Sequence, residues 1–520
     1  MAADLAVDGS SLVPLVATVV AVTVVCAMML RRRSDADTED RNGANGNGDK
    51  AYVSYHDLVD PKIRGDHLRF NETLHRRFAG QQFVPVRGED GTYIAFSHAT
   101  SKLVLNDHAQ FSSNPFPDAR LVALNTMEKA DHARVLRYVH SHYTQEAIGK
   151  LDDRVQEIIE RCTDALEEGE HGGDVVLWAK RIHMASSLAR LGVDLLNEGS
   201  GGVAARWDWG RVDELIALND AMVALVAPLG GIGRRHIELP AGRALPVFMG
   251  MLRSIPGTLQ MFWRLGPKCA WEILRPDVTV LFPPSKPRTG VWWRPELLPL
   301  VPRYFLSLHD VLRGAQKEEG PLPGILKGVE GGDLRLAEAL TLLVQLMVNM
   351  TTANALANMV FRLCTEAEAA KATAADVPRL APDFVQEVLR LDAPLQRNPR
   401  RVAKPAEGKW AGSGLKKGDQ VLVFLGAANM DPAVFDEPSS FRLDREDSQK
   451  CGLSFGSGMH YCLGSNMVKL EMRLALECLL GRFEKLELNA DPQRLDDIDV
   501  GNWGFKRLQV SVSRRTNGKH

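Results

Sequence analysis
Apolar residues crowd the stretch 333–364, which holds neither proline nor glycine. At 1.5 Å per residue it predicts a helix of roughly 48 Å. Its side chains are apolar on nearly every face, which places it through the middle of the molecule. A second helical pattern surrounds Gly464, where Leu463, Met467, Leu470 and Leu474 recur at three or four residues. Further helices are predicted over 131–144, over 151–168 and around 178–196, with a short one at 101–105. Strand patterns are fewer. Residues 83–86 and 93–96 flank Gly88-Glu89-Asp90-Gly91 and read as a hairpin, and 418–425 and 508–512 read as further strands. The expected fold class is mainly α with small β-sheets.

The first fifty residues follow other patterns. Residues 11–30, SLVPLVATVVAVTVVCAMML, carry no charge and run directly into Arg31, Arg32 and Arg33. About 20 apolar residues match the hydrocarbon thickness of a bilayer. The basic triplet would stay cytoplasmic, leaving residues 1–10 on the other side. Charge after the apolar run, rather than before it, favours an uncleaved single-pass anchor over a signal peptide. Residues 31–51 are almost free of apolar side chains and read as a flexible linker. A catalytic domain is expected over 52–514, with 515–520 as a tail. Within it, residues 240–302 hold 11 of the 27 prolines and four of the nine tryptophans. A lid, a membrane-dipping surface or a loose insertion all fit that composition.

Bulk composition narrows the classes. The chain is 45% hydrophobic and 25% charged, as globular proteins are. With 63 Lys+Arg against 65 Asp+Glu the net charge is -2, so no nucleic-acid partner is indicated. Seven cysteines without regular spacing argue against a disulfide framework and for a reducing compartment.

The chemistry concentrates in 453–471, LSFGSGMHYCLGSNMVKLE, where Phe455, Gly458, His460, Cys462 and Gly464 stand as F-x-x-G-x-H-x-C-x-G. Glycines on both sides of a cysteine let the backbone turn tightly and approach a flat partner. The loop feeds a helix N-terminus, whose dipole favours a thiolate. No second Cys or His is spaced to complete a zinc set. A single cysteine in such a loop suits the axial bond of a haem iron.

This stretch resembles the haem-binding loop of the cytochrome P450 family, the haem-thiolate oxygenases. The resemblance continues through Phe111-Ser112-Ser113, through DHARVLRYV at 131–139, and through Glu387 and Arg390 followed by GAANMDPAVF at 426–435. It implies the cytochrome P450 fold, with a long central helix over haem b (iron protoporphyrin IX) and the Cys462 loop on the proximal side. It also implies that His132, Arg401 and His460 reach the haem propionates. Leu136 stands where the arginine after His132 belongs, leaving Arg134 or Arg137, of which Arg137 is expected. Glu387 and Arg390 form a structural pair, with Arg442 expected to replace the third member, since Ser440 occupies its position. Thr351, Thr352 and Asn354 match the oxygen-binding stretch. That stretch departs from the family pattern: Met347, Val348 and Met350 stand where a small residue, a glycine and an acid belong.

The family's usual activity makes the expected function a monooxygenase acting on a small apolar molecule. Electrons would come from a separate NADPH-dependent reductase or ferredoxin. The alternative is a haem-thiolate enzyme without the usual proton relay: a hydroperoxide isomerase or dehydratase, a peroxygenase or a nitric oxide reductase. A non-enzymatic haem protein is the third reading. The MHYCLG and GAAN forms resemble bacterial-type members, whereas an N-terminal anchor resembles microsomal ones. In a eukaryote, the expected membrane is the endoplasmic reticulum.

Overall fold
The apolar run at 333–364 folds as two helices, Leu336–Leu346 and Met350–Thr365, rather than one. The computed structural model describes residues 52–54, 57–58, 65–114, 124–168, 173–193, 196–197, 206–226, 244–274, 297–314, 320–348, 350–366, 377–446, 452–495 and 501–515. The expected anchor at 11–30 and the linker at 31–51 lie outside the described residues.

The helices that frame the site are α1 (Lys129–Leu136), α2 (Asp152–Glu167), α3 (Val175–Arg190), α4 (Ala244–Leu265), α5 (Pro267–Leu274) and α6 (Leu300–Arg313). They continue with α7 (Leu336–Leu346), α8 (Met350–Thr365), α9 (Val377–Leu391) and α10 (Ser465–Arg482). The strands are β1 (Val53–Ser54), β2 (Val84–Arg87), β3 (Thr92–Ala95), β4 (Phe111–Ser112), β5 (Arg397–Val402), β6 (Gln420–Phe424), β7 (Phe483–Leu488) and β8 (Val510–Arg514). The first six form one sheet in the order β1-β2-β3-β6-β5-β4, and β7 pairs antiparallel with β8. The expected hairpin is β2–β3, in the register Val84↔Ile94. Gly88 and Gly91 adopt φ of 96° and 72° in its turn, which explains why glycine stands there.

The core lies where α3 meets α2 and α8 and where α9 meets α10. On α2, Val155, Ile158, Ile159, Cys162 and Leu166 share one buried face. On α10, Met467, Leu470 and Leu474 are buried as their spacing predicts. α8 is buried along most of its length, with Ala353, Leu356, Met359 and Val360 each at most 1% exposed.

The α7–α8 break explains the departure from one long helix. Met347 N–H still donates to Leu343 O at 3.0 Å, but the carbonyls beyond need other partners. Side chains of α3 supply them. Arg190 Nη2 donates to Leu346 O at 2.7 Å, and His183 Nε2 lies 3.1 Å from Val348 O. At its start, α7 is tied to α1 through Glu338, which accepts from Arg134 Nη2 at 2.8 Å and from Arg335 Nη2 at 3.0 Å. Burial pushes the Glu338 carboxyl up, but the two guanidiniums and the Arg335 N–H outweigh it and bring it to about 2.

Candidate functional site
The cysteine loop is held by a buried polar frame. Asn429 Oδ1 accepts from Leu453 N–H at 2.6 Å, while its Nδ2 donates to Ser454 Oγ at 2.7 Å and to Arg390 O at 3.1 Å. Ser454 Oγ in turn donates to Leu389 O at 2.6 Å. The start of the loop is thereby pinned to α9. Gly452 passes so close to Asn429 that a Cβ there would sit 2.2 Å from Oδ1. Gly458 adopts φ 75° against Leu105 O. Cys462 N–H donates to Phe455 O at 2.9 Å, and Gly464 caps α10 two residues later.

Beneath that frame, α9 carries the expected pair. Arg390 Nη2 and Nε donate to Glu387 at 2.7 and 2.8 Å, with Arg390 fully buried. The third arginine is Arg445, not Arg442. Arg445 Nε donates to both Glu387 oxygens at 2.9 and 3.0 Å. The Arg442 side chain turns outward to Asp444 at 3.0 Å, and only its backbone N–H reaches Glu387.

Cys462 lines a cavity of about 670 Å³, within the range of cofactor sites. Thr351, Thr352, Ala355 and Val348 line it from the region of the helix break, and His132, Leu136, Arg190 and Arg400 from the side. His132 and His460 meet edge to face, ring centres 4.8 Å apart. His460 Nε2 lies 2.9 Å from Ser113 Oγ, which gives the FSS segment its place. Burial lowers His132, and it brings His460 to about 4 with help from His132, Arg400 and His108. Both imidazoles are neutral at neutral pH.

Three expected residues stand elsewhere. Arg137 is on the surface, paired with Asp333. Leu136, one turn after His132, faces the cavity instead. Arg401 does not line the cavity and Arg400 does. Successive residues of a strand alternate faces, so Asn398 and Arg400 point one way and Arg401 the other. Asn354 leaves the cavity face of α8 and packs on Gly504, where a Cβ would meet it at 2.3 Å. Met350 also turns away, accepting from Asn502 Nδ2 at 3.3 Å on its sulfur.

Two residues that sequence reasoning passed over complete the cavity. Arg190 is 5% exposed, stacks over Tyr143 at 4.2 Å, and leaves Nε without a partner. In sequence it reads as an ordinary cation in a last helical turn. His183 sits between two acceptors: Nδ1 lies 2.9 Å from Glu471 Oε2 and Nε2 3.1 Å from Val348 O. A neutral imidazole can donate to only one of them. The pair therefore holds a proton, as imidazolium with carboxylate or as imidazole with carboxylic acid. Glu471 itself is 0% exposed.

The donor set fits a flat anionic macrocycle with a metal at its centre. Arg400 is buried without a carboxylate partner, and burial alone lowers it to about 10; such a guanidinium suits an incoming carboxylate. His460 Nδ1 is buried without a partner in the same wall. Burial pushes the Cys462 thiol up, against the Gly464 N–H and the Arg190 charge. The expected pull of the loop toward thiolate is thus the weaker effect, and a cation on the sulfur would be what holds the thiolate.

Comparison with known proteins agrees with this geometry. The family model described as Cytochrome P450 matches residues 347–503. Cytochrome P450 105C1 of Streptomyces sp is 34% identical over 218 residues, 41% of this chain and 56% of that protein. Cytochrome P450(BM-1) of Priestia megaterium is 35% identical over 137 residues, 26% of this chain and 33% of that protein. The matched regions thus span from a third to just over half of these relatives. Among solved structures, Mycobacterium smegmatis CYP164A2 superposes with a TM-score of 0.63 at 20% identity, covering 88% of this chain and 98% of that one. CYP109Q5 from Chondromyces apiculatus gives 0.63 at 18% identity, covering 89% and 99%. The fold is the one these structures share.

Proposed function
From the premise that the chain belongs to the cytochrome P450 family, we propose that it is a haem-thiolate monooxygenase. It would carry haem b on Cys462 and oxidise a small apolar molecule, with electrons from a separate NADPH-dependent reductase or ferredoxin. The observation that carries this reading is the single cavity wall on which Cys462, Arg400, His132 and His460 converge, with Thr351 and Thr352 also on the cavity.

The haem, when bound, supplies the oxidising chemistry. The chain's own residues do the rest. Arg400, His132 and His460 would hold the carboxylates. Cys462 would be the axial ligand, and Phe455 and the glycines Gly458 and Gly464 shape the loop around it. Thr351 or Thr352 would hold a hydrogen bond at the cavity surface, while Met350 brings no titratable group. The His183–Glu471 pair holds a proton at that wall, and in this reading it takes the place of the missing acid. We also read residues 11–30 as a single-pass anchor with the catalytic part cytoplasmic.

The break at Val348 and the outward turn of Met350 favour a second reading, a haem-thiolate enzyme that uses a hydroperoxide or another oxidant. Dioxygen uptake by the haem protein with reductase and NADPH, run beside a fatty-acid hydroperoxide assay, decides between them. Reductase-dependent uptake with oxidised product supports the monooxygenase. Hydroperoxide turnover without reductant supports the second reading.

A further inference from the structure
Six of the eight large apolar side chains exposed among the described residues fall between Met249 and Trp271. Met249, Leu252, Ile255, Leu259 and Trp263 stand on α4, and Trp271 on α5. On α4 they recur at three, three, four and four residues, with exposed Pro256 among them. At about 100° per residue this is one stripe about a third of the way round the helix. The other side of α4 is buried. Met261 is 0% and Leu265 7% exposed, and Gly257 lies so near Pro302 of α6 that a Cβ would meet it at 3.0 Å. α4 is therefore apolar on both faces, one toward the core and one toward solvent.

Burial against the protein does not explain the outer face. Trp263 is 85% exposed, although an indole is ordinarily mostly buried. The charges around the stripe identify what would cover it. Residues 239–271 contain no Asp or Glu but do contain Arg243, Arg253, Arg264 and Lys268. Arg253 and Lys268 are exposed beside the stripe, and Arg264 pairs with Asp310. Tryptophans on an apolar helix face, rimmed by cations with acids excluded, match the headgroup boundary of an anionic bilayer. An interface with another protein would have no such reason to exclude carboxylates over 33 consecutive residues.

We infer that the outer face of α4, extended by Trp271 of α5, docks the protein onto an anionic lipid surface. This contact is separate from any anchor at 11–30 and places the folded domain against the membrane.

The test uses the full-length haem-loaded protein with phosphatidylcholine vesicles, with and without phosphatidylglycerol. Tryptophan fluorescence is read against iodide in the water and brominated acyl chains in the bilayer, for the unaltered protein and for Trp263→Phe. The expected result is quenching by brominated chains, strongest on the anionic vesicles, whose largest share is lost in Trp263→Phe. That share should also fall in Leu252→Ser/Leu259→Ser, whose substitutions lie at exposed positions and leave the core intact. If vesicles carry the protein while Trp263 remains open to iodide, the docking face is overturned and the anchor reading stands. If iodide cannot reach Trp263 even without vesicles, a second copy or the chain's own residues cover it, and the proposal fails.

Discussion
Arg445 and Arg442 lie three residues apart, and only one of them belongs to the buried frame beneath the cysteine loop. Arg445 has a side chain 4% exposed. It donates to both Glu387 oxygens, to Asp436 O at 2.8 Å, and to Glu437 O and Ser440 O at 3.2 and 2.9 Å. Arg445→Ala removes one of the two buried cations facing Glu387 and orphans three carbonyls. Breaking a buried pair costs about 3–5 kcal/mol, and Arg390 retains its two bonds to the carboxylate, so the lower end is expected. The Arg442 side chain is 33% exposed and faces Asp444, itself 74% exposed. Such a surface pair contributes about 0–1 kcal/mol. Urea unfolding of both variants, followed by circular dichroism, should therefore put the Arg445→Ala midpoint well below that of Arg442→Ala. Because a chain this long need not unfold in two states, the ranking decides rather than either absolute value. Equal midpoints, or a lower one for Arg442→Ala, would refute the assignment.

Arg400→Ala should weaken haem retention about tenfold or more, the loss expected of a charge-assisted bond, while Arg401→Ala leaves it near the unaltered level; haem transfer to apomyoglobin measures both. The Glu338 carboxylate is depressed from its ordinary value of about 4.3 to about 2 by Arg134 and Arg335. Its contribution is full above pH 5 or so and fades as pH falls toward 2, at roughly 1–2 kcal/mol because Arg134 is partly exposed. Glu338→Gln should flatten that acid limb of the urea midpoint, and an unchanged limb would contradict it. His183→Ala leaves Glu471 buried and Val348 O without its partner, costing about 3–5 kcal/mol; a urea midpoint within error of the parent would sink the dyad.

What was legible in the sequence was local. The cysteine loop could be read because its turns need glycine at fixed spacing. The Glu387–Arg390 pair could be read because i, i+3 residues share a helix face. The residues that were misplaced depend on distant partners or on register. Arg400 and Arg401 are adjacent in a strand, and only the pairing Arg400↔Val421 and Arg401↔Gln420 fixes their faces. The break at Val348 is satisfied by His183 and Arg190, more than 150 residues away in sequence. No periodicity of the 333–364 run could announce it. Arg445 meets Glu387 across 58 residues, and its sequence neighbourhood, LDREDS, resembles any charged loop.

Axial ligation of haem iron by Cys462 is the claim on which the rest depends. The measurement is the absorption spectrum of the reduced carbon monoxide complex of the purified protein, beside that of Cys462→Ala. The account predicts the thiolate-type band in the first and its loss in the second, with the α-helical circular dichroism of both alike. The same band in Cys462→Ala, or its absence from a haem-loaded unaltered protein, would contradict it.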